Sequence, residues 1–265
     1  MVHHDQLWDN SAYPLVAYLI AFIGAALGLA CTTRLRVVGA TRGKGWLFAG
    51  ALSLGTGIWG MHFVAMLGYD IQGTTLHYSL LPTVASWVIA VVFVGIGMLL
   101  AGRDSSWRSL VGAGLLSGLG IAGMHYLGMA AIIIPGSLHY DALVVILSVV
   151  IAVVAATAAL WATLRVTGPL FTAAAALVMG AAIGGMHYTG MLAVTSTTTS
   201  TTNNLGGVTA STFVVPLIAG LTLIIFIVGF TVMLNPVADL RHDQAADSPS
   251  ARTATPATQP QSADH

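Results

Sequence analysis

The sequence predicts an all-α, polytopic membrane protein with seven transmembrane helices, arranged as three two-helix repeats plus a final helix. Three observations predict it. Only 7% of the 265 residues are charged and 56% are hydrophobic, with a mean hydropathy of +0.86, whereas a soluble domain carries about 25% charged residues. The apolar residues gather into seven runs, each long enough for the roughly 20 residues that a bilayer crossing needs. One heptad is also written three times, with its histidines 63 and then 62 residues apart.

Taken in order, residues 1–12 are short and polar, with two Asp and no Lys or Arg. They lack the basic region and small-residue cleavage site of a secretory signal, so they are expected to form an extracytoplasmic N-terminus before a retained first span. The spans fall at 13–33, 46–68, 81–101, 110–134, 142–163, 169–194 and 212–234, making 13–234 one membrane domain. Backbone groups in lipid have to be satisfied within their own segment, and no barrel-like alternation is present, so the spans are read as helices. Arg34, Arg36, Arg42 and Lys44 follow the first span, Arg103 and Arg108 the third, Arg165 the fifth and Arg241 the seventh. Loops 69–80, 135–141 and 195–211 hold no Lys or Arg. Basic loops stay in the cytoplasm, which places the N-terminus outside and the C-terminus inside.

Residues 235–265, rich in Ala, Thr, Ser, Pro and Gln, read as a disordered cytoplasmic tail. Thr195–Thr202 with Asn203 and Asn204 reads as a polar outer loop. Neither has the makings of a catalytic domain, so enzymatic activity is not expected from this chain, and any signalling output is expected through a separate cytoplasmic or membrane partner. The net charge is zero, and no basic patch points to nucleic acid. The single Cys31 excludes an intramolecular disulfide and any cysteine-cluster metal site.

The three heptads are Gly60-Met61-His62-Phe63-Val64-Ala65-Met66, Gly123-Met124-His125-Tyr126-Leu127-Gly128-Met129 and Gly185-Met186-His187-Tyr188-Thr189-Gly190-Met191. Each sits in the outer part of an inside-to-outside span, where an ionisable side chain is costly and by default functional. Residues four apart share a helix face, so His62 with Met66, His125 with Met129 and His187 with Met191 form three such faces. These faces converge on one site or serve two or three separate ones. Met61, Met124 and Met186 turn about 100° away. Thioether and imidazole together suit copper(I) and not magnesium or calcium, and heme is the weaker alternative. Tyr126 and Tyr188 offer phenols that support a ligand from behind. The small stripes Gly57-Ile58-Trp59-Gly60, Gly120-Ile121-Ala122-Gly123 and Ala182-Ile183-Gly184-Gly185 allow close helix contact.

A second echo, Leu76-His77-Tyr78-Ser79 and Leu138-His139-Tyr140-Asp141, lies at the outer mouths of two spans. His77 and His139 read as interface anchors first and as additional ligands second. His3 and His4 offer at most a weak surface site. A single buried His beside a gap-filling Met is more often packing than ligand; three copies at one depth tip the reading toward a site.

The heptads resemble the repeated Met-His-Tyr-Thr signature of the MHYT domain family, over roughly residues 10–235. Met186-His187-Tyr188-Thr189 spells it in full, while the other copies read Met-His-Tyr-Leu and Met-His-Phe-Val. The resemblance implies a sensor domain of the bacterial cytoplasmic (inner) membrane. In that family Met, His and Tyr side chains are thought to bind copper near the outer face and to respond to oxygen, carbon monoxide, nitric oxide or redox state. Relatives are often fused to cyclic di-GMP enzymes or a histidine kinase. Copper handling or transport, a heme-binding or enzymatic membrane protein and a purely structural module are the competing expectations.

Overall fold

The computed structural model describes residues 12–69, 76–104, 106–198 and 206–246. The readings made for residues 1–11 (including His3 and His4), for the middle of the polar outer loop and for 247–265 lie outside these. Eight helices occur among the described residues: α1 Ala12–Arg42, α2 Lys44–Met66, α3 Leu80–Arg103, α4 Trp107–Ala130, α5 Ala142–Arg165, α6 Pro169–Leu192, α7 Ala210–Leu234 and α8 Val237–Ala246. Helices α1 to α6 are long and apolar enough to cross a membrane, and the chain is a multi-pass membrane protein. Helix α7 has 25 residues interrupted by Pro216, with an apolar stretch at Ala219–Leu234.

Two expectations need correction. The stretch after 235 does not begin as an irregular tail: Val237–Ala246 is helical, with Asp239 in its first turn, where a carboxylate suits the helix N-terminus. The loops that follow the motif helices also carry short strands, which an all-helical reading did not foresee. β1 (His77–Tyr78) pairs with β2 (Ile132–Ile133) and β5 (Val208–Thr209), and β3 (Gly136–Tyr140) pairs with β4 (Val194–Thr198), all antiparallel. Two equivalent backbone bonds, Ser79 N–H to Ala131 O and Asp141 N–H to Ala193 O, both 2.8 Å, tie each loop to the end of the next motif helix. These strands satisfy backbone groups just beyond the helix ends.

Helices α1 to α6 form a closed ring in which each packs on the next and α6 returns to α1. Equivalent glycines set three of the crossings. A Cβ on Gly55 would stand 2.7 Å from Val91 Cα of α3, one on Gly118 would meet Val153 of α5, and one on Gly180 would approach Phe22 of α1 at 3.3 Å. These three crossings join α2 to α3, α4 to α5, and α6 to α1. Helix α7 lies outside the ring against α1 and α2. Gly24 and Gly57 let α1 and α2 touch backbone to backbone, a Cβ on Gly24 falling 2.7 Å from Gly57 Cα. The other stripe glycines divide: Gly60 and Gly120 abut Leu221 and Phe93, whereas Gly123, Gly184 and Gly185 meet nothing within 4 Å.

At the arginine-bearing end, α1 holds the ends of two other helices. Buried Arg34 donates to Val232 O (2.6 Å) and Asn235 O (2.8 Å) at the end of α7, and its guanidinium lies 5.5 Å from the Trp46 ring centre. Arg36 donates to Leu164 O and Val166 O at the end of α5. The last carbonyls of a helix lack intrahelical partners, and hydrogen bonds from a charged donor are worth about 1.5–3 kcal/mol each. Arg34→Ala is therefore expected to lower the melting temperature and to speed protease cleavage near residues 232–240. Cleavage at the parental rate would refute the clamp.

Candidate metal centre

Helices α2, α4 and α6 carry the three heptads to the middle of the ring. The side chains of His62, His125 and His187 are buried to 1%, 0% and 1% exposure. Their Nδ1 atoms form a triangle: 3.1 Å from His62 to His187, 3.2 Å from His125 to His62, and 3.3 Å from His187 to His125. The rings stand nearly perpendicular to one another, at 77° to 85°. Each ring also meets the next residue of its own helix edge-on, at centroid distances of 4.8 Å for Phe63 and Tyr126 and 4.9 Å for Tyr188.

Protons alone cannot satisfy this triangle. A ring nitrogen either carries a proton and donates or offers a lone pair and accepts. Three such atoms joined pairwise form an odd ring, so at least one edge sets donor against donor or acceptor against acceptor. Burial makes that mismatch expensive. A cation accepting all three lone pairs removes it. Nitrogens bound about 2.0–2.1 Å from one ion stand roughly 3.3–3.6 Å apart, so the observed triangle needs little movement to fit one.

The outward nitrogens are held by glycine. A Cβ on Gly128 would run into His62 Nε2, and one on Gly190 would stand 2.5 Å from His125 Nε2. Both Nε2 atoms are buried and make no hydrogen bond among the described residues. Gly128 and Gly190 are contributors the sequence reading missed, although the sixth heptad position (Ala65, Gly128, Gly190) is small in every copy.

Around the triangle the repeat lays down tiers four residues apart, about 6 Å along each helix. Met66, Met129 and Met191 stand a turn toward the strand-bearing end, and Ile58, Ile121 and Ile183 a turn the other way. All six are buried. Met61, Met124 and Met186 are buried as well. Among the described residues, the three histidines form the one group of three or more His, Cys or carboxylate residues whose ligand atoms all lie within 4.8 Å of one another.

The remaining candidates stand apart from that group. Tyr126 donates its phenol proton to Ser148 Oγ on α5 (2.6 Å), since that hydroxyl itself donates to Val145 O. His139 is exposed on β3 and contacts Ser137 Oγ at 3.1 Å. His77 lies in β1, half-buried, with Nδ1 unbonded among the described residues. Its neighbour Tyr78, which sequence reasoning passed over, is fully buried, stacks on Phe213 and faces Phe63. Burial pushes the Tyr78 phenol above its usual range. Where the other two heptads carry a phenol of their own, the first has Phe63 with Tyr78 packed against its ring.

The chain is similar to known signalling proteins. The chain is 40% identical over 187 residues to the bifunctional diguanylate cyclase/cyclic di-GMP phosphodiesterase MucR of Pseudomonas aeruginosa, covering 68% of this chain and 27% of that protein. It is 31% identical over 199 residues to signaling protein YkoW of Bacillus subtilis, covering 70% and 24%. It is 38% identical over 156 residues to the cyclic di-GMP phosphodiesterase NbdA of P. aeruginosa, covering 56% and 20%. The matched region thus spans about a quarter of the length of these curated relatives. No solved structure matches significantly. The family model for MHYT, the bacterial signalling protein N terminal repeat, matches in three successive copies at residues 55–114, 118–176 and 180–237, one for each histidine of the triangle, and the chain belongs to that family.

Proposed function

We propose that this chain is a copper-binding sensor module of the bacterial inner membrane, holding one ion on the Nδ1 atoms of His62, His125 and His187. The observation that carries this reading is the Nδ1 triangle, whose sides of 3.1–3.3 Å leave one edge mismatched with protons alone, a mismatch that a bound cation would relieve. Three neutral imidazoles among thioethers favour copper. The charge of the site favours copper(I): the Born cost of burial scales with charge squared, so a monovalent ion costs about one quarter as much as a divalent one. Met66, Met129 and Met191, one turn above, are the candidate soft ligands on the outer side. Bound there, copper supplies a one-electron redox couple and a coordination position for oxygen, carbon monoxide or nitric oxide.

The protein's own part is to hold and enclose. Gly128 and Gly190 fix the rings, and the methionine and isoleucine tiers keep water from the nitrogens. Inward of the histidines the same faces present Ile58, Ile121 and Ile183, then Leu54, Ser117 and Met179. Those two tiers hold a single thioether, Met179, and no second imidazole, too few donors for a relay, which favours a fixed centre over copper transport. A porphyrin would have to part the three helices, which weighs against heme. Displacement of α2 or α6 bears directly on α1, which also packs on α7 and α8, giving a mechanical route to the C-terminal end. With the basic loops in the cytoplasm, that end reaches an output enzyme, on the same polypeptide or a partner. Cyclic di-GMP turnover is the output named for the relatives MucR and NbdA.

Elemental analysis and an optical spectrum of the full chain, purified in mild detergent and reconstituted with copper(I), test the reading. About one copper per chain is expected. Copper-free protein after reconstitution would overturn it, and a Soret band would replace copper by heme.

A further inference from the structure

Directly inward of the histidines the ring of helices encloses a cavity of about 40 Å³. A water-sized body occupies roughly 10–15 Å³ on this measure, so the space suits two or three small molecules and no large ligand. Its upper wall is the isoleucine tier, Ile58, Ile121 and Ile183, and the side chain of Met186, the residue before His187. Its floor and sides include the next tier and the alanine face of α5.

The cavity is built to stay dry. Only two hydroxyls line it, and both are already spent on backbone carbonyls: Ser117 Oγ donates to Phe93 O at 3.2 Å, and Thr163 Oγ1 donates to Leu160 O at 2.7 Å. Water needs two to four polar partners to enter such a space, whereas an apolar cavity of this kind takes up xenon and other uncharged guests. Most of its wall is buried, but Ala155 and Ala159 of α5 and Ala182 of α6 are half-exposed. The neighbouring Val154 and Val178 are 62% and 69% exposed on the same outer surface. The opening therefore lies between α5 and α6 and faces hydrocarbon, not water.

We propose that this cavity is a binding chamber for small uncharged diatomic gases, filled from the bilayer between α5 and α6 and supplying the histidine centre through the Ile58–Ile121–Ile183 constriction. The supply step rests on the reading of the triangle as a copper centre; occupancy of the chamber does not. The chemistry is consistent throughout: diatomic gases concentrate in hydrocarbon, the portal opens there, and nothing polar on the path holds water in their place.

Two measurements on the full chain in detergent decide it. The first is 129Xe NMR with xenon as the probe, which needs no metal. A saturable shift is expected in the parental protein and its loss in Ala156→Phe, with Ala159→Leu at the rim as the milder variant should the first fail to fold. Absence of a saturable shift, or an acyl chain retained in the cavity that excludes xenon, would overturn the chamber. The second is carbon monoxide recombination after photolysis of the copper(I)-loaded protein. The association rate is expected to fall about tenfold in Ala156→Phe or Ala159→Leu, at unchanged copper content, and to rise severalfold in Ile121→Ala per bound copper, with the dissociation rate moving in step so that the equilibrium affinity for carbon monoxide stays the same. Unchanged association rates alongside lost xenon binding would overturn the supply route. Protein that retains no copper but still binds xenon would overturn the copper reading and the supply step while upholding the gas chamber.

Discussion

Replacing any one of His62, His125 or His187 by alanine is expected to abolish copper retention. Each contributes one nitrogen to a triangle whose sides differ by no more than 0.2 Å, from 3.1 to 3.3 Å, so the three single variants should fail alike. Loss of a group behind a ligand costs about 10–100-fold in metal affinity, and loss of the ligand itself should exceed 100-fold. Binding also stabilises the folded state by mass action, about 2.7 kcal/mol at a ligand concentration one hundred times the dissociation constant. The parental protein should therefore melt at a higher temperature with copper(I) than without, and the alanine variants should not. The metal-free comparison carries a further sign. Removing one corner leaves two nitrogens that a single proton joins without conflict, which offsets part of the loss in packing. Full copper loading of any one variant, with the copper-dependent rise in melting temperature intact, would place the centre elsewhere.

The second large effect comes from two glycines. Gly128→Ala should push the His62 ring from its place, and Gly190→Ala should do the same to His125, because each new Cβ meets an Nε2 atom. Overpacking a filled interior typically costs about 1–3 kcal/mol. Copper affinity should fall at least tenfold on the scale of disrupted ligand support. Gly123→Ala and Gly185→Ala are the controls: both positions are exposed, with nothing within 4 Å of the added atom. In a soluble helix such changes are neutral or mildly favourable on propensity alone. Should all four alanine variants bind copper equally well, glycine would have no part in holding the rings.

The heptads were legible because duplication kept both their residues and their spacing, and the span pattern because lipid tolerates so few charges. Convergence of the three motif helices also followed from the repeat, although whether they formed one site or several did not. Sequence spacing puts His62 and Met66 on one face but says nothing about which ring nitrogen turns inward; that depends on Gly128 of another helix. Tyr78, visible in the second echo, had no role to read from sequence because its burial depends on Phe213, far away in the chain. The strands were hidden for a similar reason: β1 is two residues long, and its partners lie more than 50 residues further on. The α8 helix was masked by the composition of the longer polar stretch around it.

The return of α6 to α1 sets a timetable for making the protein. Chains are synthesised from the N-terminus, so α1 and α2 reach the membrane with His62 while the other two corners are still untranslated. The triangle cannot exist until residue 187 has been inserted and α6 has found α1, a helix delivered some 150 residues earlier. On the copper reading, capture is a late event in biogenesis, because a truncated or stalled chain carries no complete triangle. An arrest placed before α6 is then expected to yield inserted but copper-free protein, as elemental analysis of the arrested chain would check.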